Sequence, residues 1–122
     1  MTHVLLIEDD ASIREVIELG LSTAQISVTA ASGGAEALAL LSKVHPDVIL
    51  LDLRMPEMDG MEFARQYVAQ GGRAPLIVMS AAGDANRAAV GVPAAAVLQK
   101  PFDLEQLLRA VSDARRVTEP SV

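Results

Sequence analysis

Four apolar runs in this chain end on residues that can share one ion or one phosphate. Val4-Leu5-Leu6-Ile7 leads into Glu8, Asp9 and Asp10, and Val48-Ile49-Leu50-Leu51 leads into Asp52. Leu76-Ile77-Val78-Met79 stops at Ser80, and Ala96-Val97-Leu98 is followed shortly by Lys100-Pro101. Carboxylates, a hydroxyl and an ammonium make a site for a hard cation and a phosphoryl group, provided the four ends meet. Brought together, Glu8, Asp9 and Asp52 would repel one another, and without a cation among them at least one would hold a raised pKa. An all-oxygen set with no thiolate and no nearby histidine selects Mg²⁺ before Zn²⁺. Each residue also has a plain structural reading. Asp10 stands directly before a helical pattern and reads as its N-cap. Ser80 and Lys100-Pro101, taken singly, read as a strand end and a turn, where the proline can take a cis bond. Asp52 is harder to explain that way, because the loop Leu53-Arg54-Met55-Pro56 and the turn at Asp59-Gly60 separate it from the next helix.

The elements around these residues supply the missing convergence. Short apolar runs bounded by polar residues are the signature of strands buried on both faces. Between them lie helical spacings: Ile13, Val16, Ile17, Leu21 and Ala24; Phe63, Ala64, Tyr67 and Val68; and Leu104, Leu107, Leu108 and Val111. Gly34 to Lys43 forms a further helix with Leu38 and Leu41 facing in, and Ile26 to Ala31 a further strand. Asp103 and Gln106 form a capping box for the last helix, with Phe102 stapled against Leu107. A weak, Ala-rich helix is expected from Asp84 to Val92, before Pro93. Strand and helix alternating five times predict an α/β fold, a doubly wound five-stranded parallel sheet with helices on both faces. Parallel strands put their carboxyl ends on one edge, where such folds bind ligands.

Composition narrows the class. The 122 residues suit one domain, expected over 1–117, with a short tail at 118–122. With 51% hydrophobic but only 2% aromatic residues, the core must be aliphatic. A net charge of −6 argues against direct nucleic-acid binding. No apolar stretch is long enough to span a membrane, no signal peptide opens the chain, and cysteine is absent, so a cytoplasmic setting is expected.

Glu8-Asp9, Asp52 within DVILLDLRMPEMDG, Ser80-Ala81 and Lys100-Pro101-Phe102 resemble the response-regulator receiver domain of two-component signalling, over Val4 to Val111. The resemblance implies the flavodoxin-like strand order 2-1-3-4-5. It implies that Asp52 accepts a phosphoryl group from a phosphohistidine on a sensor histidine kinase or histidine phosphotransfer protein. It further implies Mg²⁺ held by Asp9 and Asp52, with Glu8 acting through water and Arg54 offering its backbone carbonyl. Ser80 and Lys100 would each bind a phosphoryl oxygen.

Two features depart from the family pattern. Many members carry a switching aromatic in the fifth strand where this chain has Val97, and the stretch from Ser80 to Lys100 is short. Phosphorylation is therefore expected to act by changing order in Ala81 to Pro93. The uncharged Ala94-Ala95-Ala96-Val97 predicts a monomer in the unmodified form. The leading expectation is a stand-alone receiver, a phosphorylation-controlled binding module with an unknown protein target. The alternative is a pseudo-receiver that works without phosphate. An aspartate-dependent phosphatase is disfavoured, since Arg54 stands where a second acid would be needed and no cap domain fits the length.

Overall fold

The computed structural model describes residues 2–55, 57–81 and 94–118, with side chains through Arg115. The expected helix over Asp84–Val92, and all but Ala81 of the loop expected to change order, lie outside the described residues. So does the tail beyond Thr118.

Five strands form one parallel sheet: β1 (His3–Ile7), β2 (Ser27–Ala31), β3 (Val48–Asp52), β4 (Leu76–Ser80) and β5 (Ala94–Gln99). Their order is β2-β1-β3-β4-β5, the flavodoxin-like order. The described helices are α1 (Ala11–Thr23), α2 (Gly34–Leu40), α3 (Gly60–Ala69) and α4 (Leu104–Thr118). Because strand side chains alternate, each central strand feeds two cores. Leu5, Ile7, Ile49, Leu51, Leu76 and Val78 face α2 and α3 through Ala37, Phe63, Ala64 and Tyr67. Val4, Leu6, Val48, Leu50, Ile77 and Met79 face α1 and α4 through Ile17, Leu21, Leu107, Val111 and Ala114. Every residue of β3 and β4 is buried, as their unbroken apolar runs predict.

The edges of the sheet correct that reading. β5 alternates half-buried and exposed residues, and Val97 is 39% exposed. An edge strand lacks a neighbour on one side, so an apolar run there does not require burial on both faces. The helical stripes are also narrower than their sequence spacing suggests. Ile17 and Leu21 are buried on α1, but Val16, one position and about 100° away from Ile17, is 71% exposed. Val68 and Leu104 are likewise exposed. The second helix stops at Leu40 rather than Lys43, and α4 runs through Thr118, where the tail was expected to start.

Three aspartates start helices. Asp10 Oδ1 accepts from the Ile13 amide at 3.0 Å, and Asp59 Oδ1 from the Glu62 amide at 2.8 Å. Asp103 and Gln106 form the expected reciprocal box, at 2.7 and 2.9 Å. Asp59, read from the sequence as a turn residue, is thus also a cap.

The α3 start lies against the end of β3. The Gly60 amide donates to the Leu53 carbonyl at 3.0 Å. A Cβ on Gly60 would stand 2.6 Å from the Asp52 carbonyl oxygen and 2.8 Å from Leu53 Cα. Both atoms are backbone and cannot turn aside. Gly60→Ala should therefore lower stability by about 1–3 kcal/mol, as overpacking does. Urea unfolding measures this, and an unchanged midpoint would show that the loop yields freely.

Candidate functional site

The carboxyl ends of β1, β3, β4 and β5 meet as the parallel topology requires. Glu8 follows β1, Asp52 ends β3, Ser80 ends β4, and Lys100 follows β5. Lys100 is fixed by its own backbone, since its amide donates to the Ser80 carbonyl at 2.7 Å and extends the β4–β5 ladder by one bond. The Lys100–Pro101 peptide is cis.

One oxygen each from Glu8, Asp9 and Asp52 lies within 4.8 Å of the others. Glu8 and Asp52 are buried, while Asp9 is exposed. Lys100 Nζ donates to Glu8 Oε1 at 2.9 Å and stands 3.6 Å from Asp52 Oδ1. Of the two acids, Glu8 is the closer partner of the lysine. Asp10 caps α1 and is not in the cluster. Arg54 follows two residues after Asp52, and its amide donates to Asp52 Oδ1 at 3.3 Å.

Two buried carboxylates sharing one ammonium leave the site short of positive charge. Burial and the neighbouring Asp52 push the Glu8 carboxyl above its ordinary 4.5, against the opposing pull of Lys100. Burial pulls Lys100 down, but its hydrogen bond to Glu8 and the charges of both acids outweigh this and hold it above 10.5. A lone ion pair would lower its acid. Here the acid goes up because the second carboxylate and the missing water count for more than the lysine.

Ser80 is 2% exposed, and among the described residues its Oγ has no hydrogen-bond partner. A buried unpaired hydroxyl costs about 1–3 kcal/mol, so one at the rim of a charged site points to an incoming acceptor. The acid cluster in turn fits a small divalent cation. Oxygens bound to Mg²⁺ at about 2.0–2.1 Å are at most about 4.2 Å apart, so a cluster within 4.8 Å suits an ion held by part of the set directly and by the rest through water.

Sequence reasoning did not single out Arg14, whose Nη1 donates to the Glu8 carbonyl at 2.9 Å. The available signal was a cation one turn into the helix that Asp10 caps. Nor did it assign Gly60 its close approach to β3, although Asp59-Gly60 was visible as a turn.

Two outcomes follow from this geometry. Ser80→Ala removes an unpaired hydroxyl, so the unmodified protein should keep or gain stability. A loss above about 1 kcal/mol in chemical unfolding would mean that the hydroxyl is bonded. Glu8 binds its proton more tightly in the fold than in the unfolded chain. Folded stability without divalent ions should therefore fall as pH rises from 4.5 through the raised Glu8 value, then level off. The thermal midpoint of Glu8→Gln relative to wild type should climb across that window, and a constant difference would contradict the shift. Lys100 acts at the other end, its contribution full below 10.5 and lost as pH rises through its raised value.

The family model for the response regulator receiver domain matches residues 4–112. The chain is 36% identical over 120 residues to response regulator MprA of Mycobacterium leprae (strain TN), covering 97% of this chain and 53% of that protein. It thus spans about half the length of the curated relatives it matches. The Francisella response regulator 1452 receiver domain superposes with a TM-score of 0.89 at 29% identity, covering 98% of this chain and 100% of that one. Vibrio cholerae chemotaxis protein CheY4 gives 0.85 at 32% identity, covering 93% and 98%. With the strand order, the matched span and the strand-end residues in agreement, this chain belongs to the response-regulator receiver domain family.

Proposed function

We propose that this domain accepts a phosphoryl group on Asp52 from a phosphohistidine of a sensor histidine kinase or histidine phosphotransfer protein. The phosphorylated form then binds a protein target. The observation that carries this reading is a buried carboxylate, Asp52, beside Lys100 on one sheet edge, where the neighbouring strand ends on Ser80, a buried hydroxyl without an acceptor among the described residues.

The chemistry balances without further reactants. A carboxylate oxygen of Asp52 attacks phosphorus and the P–N bond to the donor imidazole breaks; the departing nitrogen keeps the electron pair, and the ring leaves as neutral imidazole with the proton its other nitrogen already carries. Lys100, already 3.6 Å from Asp52, can turn from Glu8 to a phosphoryl oxygen. Ser80 donates its unpaired hydroxyl to another. Asp9 and Asp52 would hold Mg²⁺ directly, with Glu8 through water and the Arg54 carbonyl as a further ligand. When bound, the ion offsets the charge gathering on the phosphoryl oxygens. The buried position of Glu8 supports an indirect part for it, since its Oε1 is committed to Lys100.

The reading makes the domain a switch rather than a turnover catalyst, with added phosphate esters expected to go unhydrolysed. It concerns residues 4–112 and holds whether they work alone or joined to an output domain, as the greater length of MprA allows. Among the described residues no helix is long and apolar enough to cross a membrane. The charge of −6 favours a protein target over nucleic acid.

Acetyl phosphate with Mg²⁺ should add one phosphoryl group to the wild-type chain and none to Asp52→Asn, as read by intact mass. Stoichiometric labelling of that variant would move the acceptor elsewhere. No labelling of the wild type by acetyl phosphate or by a phosphorylated histidine donor would favour a phosphate-independent module.

A further inference from the structure

Asp9 presents a problem that its neighbours do not. Glu8 and Asp52 are buried and held by packing, whereas Asp9 is exposed and lies between two loop residues. With no packing around its side chain, the place from which the Asp9 carboxylate can reach the cluster is set by its main chain. Here the backbone is fixed on both sides by one residue. Arg14 Nη1 donates to the Glu8 carbonyl at 2.9 Å, and the Arg14 amide donates to the Asp10 carbonyl at 2.9 Å. The peptide between Asp9 and Asp10 has its own restraint, since the Asp10 amide donates to Glu8 Oε2 at 3.3 Å. The Glu8 amide in turn donates to the Ala31 carbonyl at 3.1 Å, which ties the clamp to β2.

We propose that Arg14 is a positioning residue for Asp9: its guanidinium and its amide hold the main chain on either side of Asp9 and keep that carboxylate in the acid cluster. The inference rests on the reading of that cluster as a cation site. The guanidinium bond is the part a substitution can remove. The amide bond is the first turn of α1 and survives any side chain other than proline.

Charge and geometry oppose each other here, which makes the idea decidable. A guanidinium bonded to the Glu8 carbonyl, at the edge of the acid cluster, repels an incoming cation, so its charge alone predicts tighter Mg²⁺ binding once it is gone. Loss of the clamp predicts weaker binding, because an outer partner that orients a ligand typically contributes tenfold or more to metal affinity.

The test uses the full chain and Arg14→Met, which keeps the stem but has neither charge nor donor. In metal-free protein, ¹⁵N relaxation should show greater mobility at Asp9 and Asp10 in the variant, with the α1 residues Ile17 to Leu21 unchanged. In a Mg²⁺ titration followed by the amide shifts of Asp52 and Leu53, the half-saturating concentration should rise roughly tenfold. Unchanged order at Asp9, or looser order with unchanged or tighter Mg²⁺ binding, would overturn the proposal. A wild-type chain that shows no Mg²⁺ response would refute the cation site itself, and the metal-free relaxation would then decide the clamp by itself.

Discussion

Two buried carboxylates and one ammonium, Glu8, Asp52 and Lys100, meet where the hydrophobic sheet ends, and most of the surrounding structure answers to that imbalance. Charges of like sign in a water-poor setting are strongly destabilising unless compensated. One lysine at 2.9 and 3.6 Å compensates one of the two, and the rise in the Glu8 pKa records what is left over. Such a group is tolerable only on a scaffold that is otherwise well satisfied. The central strands provide this, with Val4 to Ile7, Val48 to Leu51 and Ile77 to Met79 fully buried between two helical layers. The lysine is also part of the scaffold, because its amide closes the β4–β5 ladder at Ser80. Backbone pairing therefore decides where the counter-charge sits.

The loops that follow the strands are used economically. Asp10 caps α1 so that Glu8 and Asp9 are left at the mouth of the sheet. Asp59 does the same for α3, which frees Asp52 from any capping duty. The second arrangement works only because Gly60 brings the helix start against the Asp52 carbonyl with no side chain between them. Acids that look alike in the sequence are thus divided by local geometry into helix caps and members of the strand-end cluster.

That division also shows what the sequence makes legible. The strands β1, β3 and β4 were readable because each is an unbroken aliphatic run ending on a polar residue. Their order, by contrast, came from a family resemblance, since periodicity says nothing about which strand lies beside which. The edge strand β5 was misjudged for a physical reason, as an alanine-rich run satisfies both a buried strand and an exposed one. Val16 failed similarly, because a three- or four-residue spacing marks a stripe without giving its width. Of the site, the meeting of Glu8, Asp9, Asp52, Ser80 and Lys100 was foreseeable from parallel strand ends. The choice of Glu8 over Asp52 as the nearer partner of Lys100 was not, since it depends on ångström-scale placement. Nor was the bond from Arg14 to the Glu8 carbonyl, because a backbone acceptor leaves no trace in residue identity.

On the proposed reading, the unmodified site is poised because it is unsatisfied. A ligand or modification shifts an equilibrium only by the contacts it makes differently in the two states. For Ser80 that difference is bounded by the cost of its unpaired hydroxyl, about 1–3 kcal/mol. Turning a domain from one per cent active to one per cent inactive takes about 5.5 kcal/mol. Ser80 alone falls short of a complete switch. The remainder has to come from charge, since a phosphoryl group brings about −1.5 to −2 to a site that already has too much negative charge. Lys100 stands 3.6 Å from Asp52 and can respond, and it is held more closely by Glu8, at 2.9 Å. Releasing it leaves Glu8 buried without its ion-pair partner, a cost that the phosphoryl contacts have to exceed. The bond between Lys100 and Glu8 is therefore the element whose rearrangement sets how far the domain can switch.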